Sequence, residues 1–228
     1  WLLCHLFHLT GATAAGVILV GSCPSGTSSS VMAFLSGGDV ALDVSIEILS
    51  TLLAPIMLPL LLSILAGQFI AVPAVSLSTL RIVVVPIMLG VLVHTLLGKK
   101  IIAIIQLMPL ISQVAILLII GAVVSANHAN IFTTATALVI PVVMLHNLCG
   151  YGLGFVFSKL LHLKETQQKA ITFEVGMQDS SLGATLAMKY FVPQAAIPST
   201  IFSIWHNISG SILSSWWKNH SKVHKENA

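Results

Sequence analysis

The stretch from Ile171 to Ala184 reads I-T-F-E-V-G-M-Q-D-S-S-L-G-A. It sets Glu174, Gln178 and Asp179 beside Gly176 and Gly183, in a chain that is 56% hydrophobic and only 7% charged. A carboxylate is costly in hydrocarbon, so an acidic residue inside an apolar run marks a functional site by default. The glycines and the polar run Gln178 to Ser181 interrupt a helix at bilayer depth. Such a break is tolerated only where backbone is buried in protein or lines a cavity. A second interruption lies upstream at Val20-Gly21-Ser22-Cys23-Pro24-Ser25-Gly26-Thr27-Ser28-Ser29-Ser30. Gly/Pro-broken segments in two halves of one chain point to the binding site of a secondary transporter.

Composition supports a membrane setting. Soluble domains carry about 25% charged residues, whereas this chain of 228 residues has 7% and a mean hydropathy of +0.99. Repeated apolar runs of about 20 residues predict an all-α polytopic membrane protein. The net charge of +3 comes mainly from lysines in short loops and implies no nucleic-acid partner. Cys4, Cys23 and Cys149 sit in apolar segments without paired spacing, which argues against a disulfide framework or a zinc site. The chain opens at Trp1, already inside an apolar run and without a signal-peptide n-region, so further N-terminal sequence is expected.

Taken in order, residues 1 to 8 read as the tail of one helix and 11 to 22 as a half-helix entering the first break. A single span from Trp1 to Ser22 is the alternative that length permits, while His8-Leu9-Thr10-Gly11 favours a turn. Ser29 to Leu35 is a short second half-helix, ended by Ser36-Gly37-Gly38. Asp39 opens a long span to about Ala66, in which Pro55 and Pro59 predict a kink. A loop follows over 67 to 76, then spans from Thr79 to Leu97, capped by Lys99-Lys100, and from about Ile104 to Ser125. Asn127-His128-Ala129-Asn130 is a turn, and Phe132 to Leu161 a long span carrying His146 and Asn147. Lys164 to Met177 and Ser180 to Phe191 form the second broken helix. Ala195 to Trp217 is the last span, with Trp216-Trp217 as an interfacial belt and a charged tail beyond.

Lysine placement sets the orientation. With a cytoplasmic C-terminus, Lys99, Lys100, Lys159, Lys164, Lys169, Lys218, Lys222 and Lys225 fall inside, against Lys189 and Arg81 opposite. The expected location is the cell membrane, multi-pass, in contact with lipid. Val20-Gly21 with Ser25 also recurs as Val175-Gly176 with Ser180 at one constant offset, the mark of an internal repeat.

Four stretches carry a resemblance to the bile acid:sodium symporter family. They are GVILVGSCPSGTSSSVMAFLSGGDVAL (Gly16 to Leu42), LSTLLAP (Leu49 to Pro55), FEVGMQDSSLGATLA (Phe173 to Ala187) and SIWHNISGSILSSWW (Ser203 to Trp217). The resemblance implies an inverted-repeat transporter of ten helices, whose fourth and ninth helices are broken and cross at the substrate site. On that register the chain is an N-terminally truncated member holding about seven of the ten helices. Residues 1–66 are then the end of helix three, broken helix four and helix five, the core of the first repeat. Residues 67–126 are helices six and seven of the panel. Residues 127–228 are helix eight, broken helix nine, helix ten and the tail, the core of the second repeat.

The resemblance also implies a ligand set. One sodium site falls on Ser29, Ser30, Asp43, Glu47 and Glu174, and a second on Glu174, backbone oxygens of Val175 and Met177, and Gln178. Hard cations want such oxygens. Asp43 and Glu47 are spaced to share one helical face; the alternative is an acidic pair near Asp39 that snorkels to water. Thr27, Asp179, His206 and Asn207 match positions that contact substrate, and His206 reads equally as a hydrogen-bonded core histidine. His146-Asn147 reads as structural interhelical hydrogen bonding.

This chain departs from the family at the site. Members carry small hydroxyl residues where Asp43 and Glu47 stand, and Asn where Ser30 and Asp179 stand. Four carboxylates at one centre repel one another, so proton coupling in place of sodium is the alternative expectation. The functional expectation is a secondary active symporter moving a small organic anion, bile-acid-like or pantoate-like, coupled to sodium. The half-helix N-terminus at Gly26 to Ser29 suits a carboxylate. A truncated, non-transporting membrane binding protein is the further alternative. An enzyme is not expected: Gly21 to Ser28 echoes a phosphate-binding loop, but Thr27 stands where its lysine is required. Cys23 has no general-base spacing beside it.

Overall fold

The computed structural model describes residues 1–66, 81, 85–97, 107, 111, 114, 118, 121–125 and 134–226. The named helices are α1 (Leu2–Leu6), α2 (Gly11–Ser22), α3 (Ser28–Ser36), α4 (Val40–Leu65), α5 (Val85–Leu97), α6 (Thr134–Leu160), α7 (Glu165–Gly176), α8 (Ser180–Tyr190) and α9 (Ile197–Glu226). A short 3-10 turn, Pro193–Ala196, leads into α9. Among the described residues the architecture is all-helical, with no strand longer than an isolated bridge. The expected loop over 67–76, the Lys99-Lys100 cap, the turn at Asn127–Asn130 and most of the span from Ile104 lie outside the described residues.

Local chemistry explains where the chain turns. His8 and Gly11 adopt φ of +53° and +59°, a left-handed conformation that separates α1 from α2. α3 stops at Gly37, φ +73°, where the Gly38 N–H reaches back to the Ala33 carbonyl at 2.7 Å, a glycine C-cap. Asp39 caps α4, accepting from the Leu42 N–H at 3.1 Å. α4 continues as one helix through Pro55 and Pro59. It and residues 137–160 of α6 are long and apolar enough to cross a membrane. Ile48, Leu52, Ile56, Leu60 and Ile64 form an exposed apolar face on α4, suited to hydrocarbon.

α9 differs from the expected last span. It runs through the charged residues to Glu226 instead of ending at Trp217. Ser221 explains the extension: its hydroxyl accepts from Lys169 Nζ at 2.7 Å and donates to Glu165 at 3.1 Å, docking the tail on α7. Lys169, grouped from sequence with the basic loops, lies inside α7. It is only 3% exposed and pairs with Glu165 at 2.8 Å. Trp216 faces outward, but Trp217 packs edge-on to Phe173 with centroids 5.5 Å apart, so only the first of the pair behaves as a surface aromatic.

The main core joins α2, α6, α8 and α9 through Leu19, Val20, Val139, Val142, Leu186 and Phe202. α6 and α7 are the most extensively packed pair, and small residues allow it. A Cβ at Gly150 would fall 2.8 Å from the Gly176 Cα, and one at Gly154 2.8 Å from the Ile171 carbonyl oxygen. Helices in membranes associate through such close backbone approach. Gly154→Ala is therefore expected to cost about 1–3 kcal/mol, read as a lower Tm in detergent. Gly152 on the same helix faces open space, so Gly152→Ala should leave Tm unchanged or slightly raised. Equal Tm values for both variants would contradict this packing.

Candidate ion and solute site at the helix breaks

Between α2 and α3 the chain unwinds over residues 23–27, and between α7 and α8 over 177–179. The two unwound segments pair with each other. The Gly26 N–H donates to the Met177 carbonyl at 3.0 Å and the Asp179 N–H to the Pro24 carbonyl at 2.8 Å, with Ser25 opposite Gln178 in an antiparallel bridge. Each break thus satisfies backbone groups that hydrocarbon would leave unmet. Gly26 permits the approach: a Cβ there would lie 3.2 Å from the Gln178 carbonyl oxygen.

Beside this crossing, hydroxyls string three carboxyl groups together. Ser25 Oγ donates to Glu174 Oε1, and Ser29 Oγ lies 2.9 Å from Glu174 Oε2. Ser29 Oγ is also 3.2 Å from Asp43 Oδ2. Ser30 Oγ lies 2.6 Å from that same oxygen and 3.1 Å from Glu47 Oε2. A serine hydroxyl carries one hydrogen, so Ser29 and Ser30 each face two carboxyl oxygens with one proton to donate. Acceptors outnumber donors. Asp43 is fully buried and Glu174 is 6% exposed, and Asp43 Oδ1 has no hydrogen-bond partner. The inward placement of Asp43 disposes of the snorkelling alternative for that residue.

An orphaned buried carboxylate oxygen among hydroxyls is a place for a hard cation. Among the described residues no three acidic, His or Cys side chains converge tightly enough to hold a metal ion by themselves. An ion here would therefore need the serine oxygens as ligands. The groups expected at a second ion site are partly engaged. The Val175 carbonyl accepts from Gln178 Nε2 at 2.9 Å and the Met177 carbonyl accepts from Gly26, which leaves each one lone pair. Gln178 Oε1 is buried without a partner.

The four expected substrate residues fall in two places. Thr27 is exposed at the start of α3. Asp179 stands at the crossing as the N-cap of α8, its Oδ1 accepting from the Ser181 and Leu182 N–H groups, each at 3.0 Å. His206 is 4% exposed and stacks edge-on to Phe202 at 4.9 Å. Asn207 is exposed and donates to Ser203 of its own helix at 2.7 Å. Among the described residues no hydrogen bond joins His206 or Asn207 to the crossing. Asn147 is structural, as expected: it donates to the Gly176 carbonyl at 2.7 Å and accepts from Ser209 at 2.7 Å.

Sequence reasoning missed Ser25 as a partner of Glu174. The signal was present, because Ser25 stands at the same offset from Ser180 as Val20-Gly21 from Val175-Gly176. Resemblance had grouped Glu174 with Ser29 and Ser30; that α7 also brings it against Ser25 was absent from the sequence.

The chain matches known proteins over nearly all of its length. The sodium bile acid symporter family matches residues 1–134. The chain is 46% identical over 223 residues to an uncharacterized sodium-dependent transporter, YocS, of Bacillus subtilis (strain 168), covering 97% of this chain and 68% of the relative. It is 35% identical over 222 residues to a probable sodium/metabolite cotransporter, BASS1, of Oryza sativa subsp. japonica, covering 96% of this chain and 54% of that protein. It is 28% identical over 231 residues to the ileal sodium/bile acid cotransporter of Homo sapiens, covering 97% of this chain and 66% of that protein. The chain thus spans between about half and two thirds of these relatives' lengths. With its two unwound segments crossing beside buried carboxyls, the chain belongs to the sodium bile acid symporter family, a family of membrane transporters and not of enzymes.

Proposed function

We propose that this chain forms the ion- and solute-binding core of a sodium-coupled symporter for a small organic anion, bile-acid-like or pantoate-like. The observation that supports this best is Asp43 Oδ1, a buried acceptor without a partner, beside serines that face more carboxyl oxygens than they have hydrogens. Sodium at Ser29, Ser30, Asp43, Glu47 and Glu174 balances that excess. A second sodium uses Glu174, Gln178 and the remaining lone pairs on the Val175 and Met177 carbonyls. The relatives' names, a sodium-dependent transporter and sodium cotransporters of metabolites or bile acid, agree with sodium as the coupled ion.

Coupling follows from charge. With the carboxyls uncompensated, an anion is repelled from the crossing; with sodium bound, its carboxylate can dock at the start of α3 near Thr27, with Asp179, His206 and Asn207 toward the rest of the solute. The linkage is reciprocal, so the anion tightens sodium by the same factor, on the order of 5- to 150-fold. The two broken helices belong to inverted repeats in residues 1–66 and 127–228, moving against a panel in 67–126. The protein sits multi-pass in the cell membrane with a cytoplasmic C-terminus.

The test is uptake of labelled organic anions into proteoliposomes under separately imposed sodium, potassium and proton gradients. Sodium-driven accumulation, with neither of the other gradients effective, is the expected result. Accumulation driven by protons alone would overturn sodium coupling. That second reading draws on the same shared hydroxyls, since a proton on Asp43 or Glu47 would also supply the missing hydrogen. No accumulation of any anion under any gradient would leave a membrane binding protein.

A further inference from the structure

α6 carries two adjacent polar residues, His146 and Asn147, that the ion site does not use. Both meet the second break. Asn147 holds the last turn of α7 through the Gly176 carbonyl at 2.7 Å, and Ser209 completes its amide. His146, about 100° round the helix from it, reaches the end of α2 at the first break. Its ring lies against Gly21 at the end of α2, where a Cβ would fall 3.0 Å from Cε1 and 3.2 Å from Nε2. It also lies near the Gln178 side chain, without a hydrogen bond between the two.

The two side chains complement each other. Gln178 Nε2 donates to the Val175 carbonyl at 2.9 Å, while its Oε1 is buried without a hydrogen-bond partner, and His146 Nε2 is likewise buried without one. A neutral imidazole with its hydrogen on Nε2 is a donor, and an amide oxygen is an acceptor. Leaving either unmade in a buried place is costly. Phe202 also neighbours the ring, with centroids 5.9 Å apart.

Given the sodium-coupled reading above, we propose that His146 is a positioning residue for the second ion site. Its Nε2–H holds the Gln178 amide and, through that amide, the Val175 carbonyl, so that the unwound segment presents its oxygens toward Glu174. Gly21 is part of the device: without a side chain, it lets the imidazole lie between the end of α2 and residues 177–179. The state of one break is thereby registered at the other.

The test is a double-mutant cycle on the half-saturating sodium concentration for uptake by the full-length protein. His146→Phe keeps a ring without a donor, and is expected to raise half-saturating sodium about tenfold, in the range seen when a group orienting a metal ligand is removed. His146→Gln, which can still donate, should recover most of the loss. In a Gln178→Ala background, His146→Phe should add nothing further, because the group it positions is gone. The solute concentration for half-maximal uptake at saturating sodium should not change. Full additivity of the two substitutions, or a His146→Phe protein with wild-type sodium dependence, would overturn the role of His146 while leaving sodium coupling intact. A wild-type protein without sodium dependence would overturn both, and is recognised without any variant. If His146→Phe does not fold, His146→Leu, smaller than the imidazole, enters the same cycle.

Discussion

Glu174→Gln is expected to abolish sodium-driven uptake while the protein still folds. Glu174 accepts hydrogen bonds from Ser25 and Ser29, one on each carboxyl oxygen. The amide keeps one of those acceptors, and the serine facing its new NH2 can rotate to accept, so the packing survives at a cost of about 1 kcal/mol. The ion loses far more. A unit charge about 4 Å away contributes roughly 4 kcal/mol at an effective dielectric of about 20, which is two to three decades in binding. Uptake should fall at least about 100-fold at any accessible sodium concentration, with a monodisperse peak and a Tm near wild type. Near-normal uptake by a folded Glu174→Gln protein would remove this residue from the ion path.

The second large effect is expected at Asp43 and has two signs. Both serine contacts fall on Oδ2, while Oδ1 is buried and unmatched. Asp43→Asn removes a charge from the ion site and adds two hydrogens to a cluster short of donors. In sodium-free buffer the variant should therefore melt higher than wild type, because an unmatched buried acceptor costs about 1–3 kcal/mol. Adding sodium should then raise its Tm little, and half-saturating sodium for uptake should rise by about tenfold or more. A lower sodium-free Tm with an intact sodium response would make Asp43 a structural acceptor only. Under proton coupling the variant would instead lose the pH dependence of uptake with no change in the effect of sodium.

Much of the fold was legible in the sequence because its breaks are chemically loud. Pro24 and Gly26 in one apolar run, and Gln178 with Asp179 after Gly176 in another, mark the breaks, and the helices stop at Ser22 and Gly176. Gly37 and Asp39 likewise announced a C-cap and an N-cap. Asp179 was as legible and was read differently: Asp-Ser-Ser-Leu before a helix is an N-cap signature, yet resemblance directed attention to substrate. That the breaks cross was implied by the resemblance, but the backbone hydrogen bonds that pair them could not be read, because they join Pro24 and Gly26 to residues more than a hundred positions away. The helical tail was missed for a similar reason. Its charged residues look solvated, and only Ser221 meeting Glu165 and Lys169 on α7 shows why the helix continues.

The carboxyls divide the same way. Their presence was visible from composition, since so few acidic residues occur in the chain. Resemblance grouped them with Ser29 and Ser30, but the sharing of single hydroxyls between two carboxyls was not legible, because it depends on how α3, α4 and α7 pack together.

Charge displacement tests sodium binding at this cluster without knowledge of the solute. Proteoliposomes adsorbed on a solid support would receive a jump from choline to sodium at constant ionic strength. The account predicts a transient current in wild type that saturates with sodium, is absent with potassium, and disappears in Glu174→Gln. Equal currents for sodium and potassium, or an unchanged sodium current in Glu174→Gln, would contradict it.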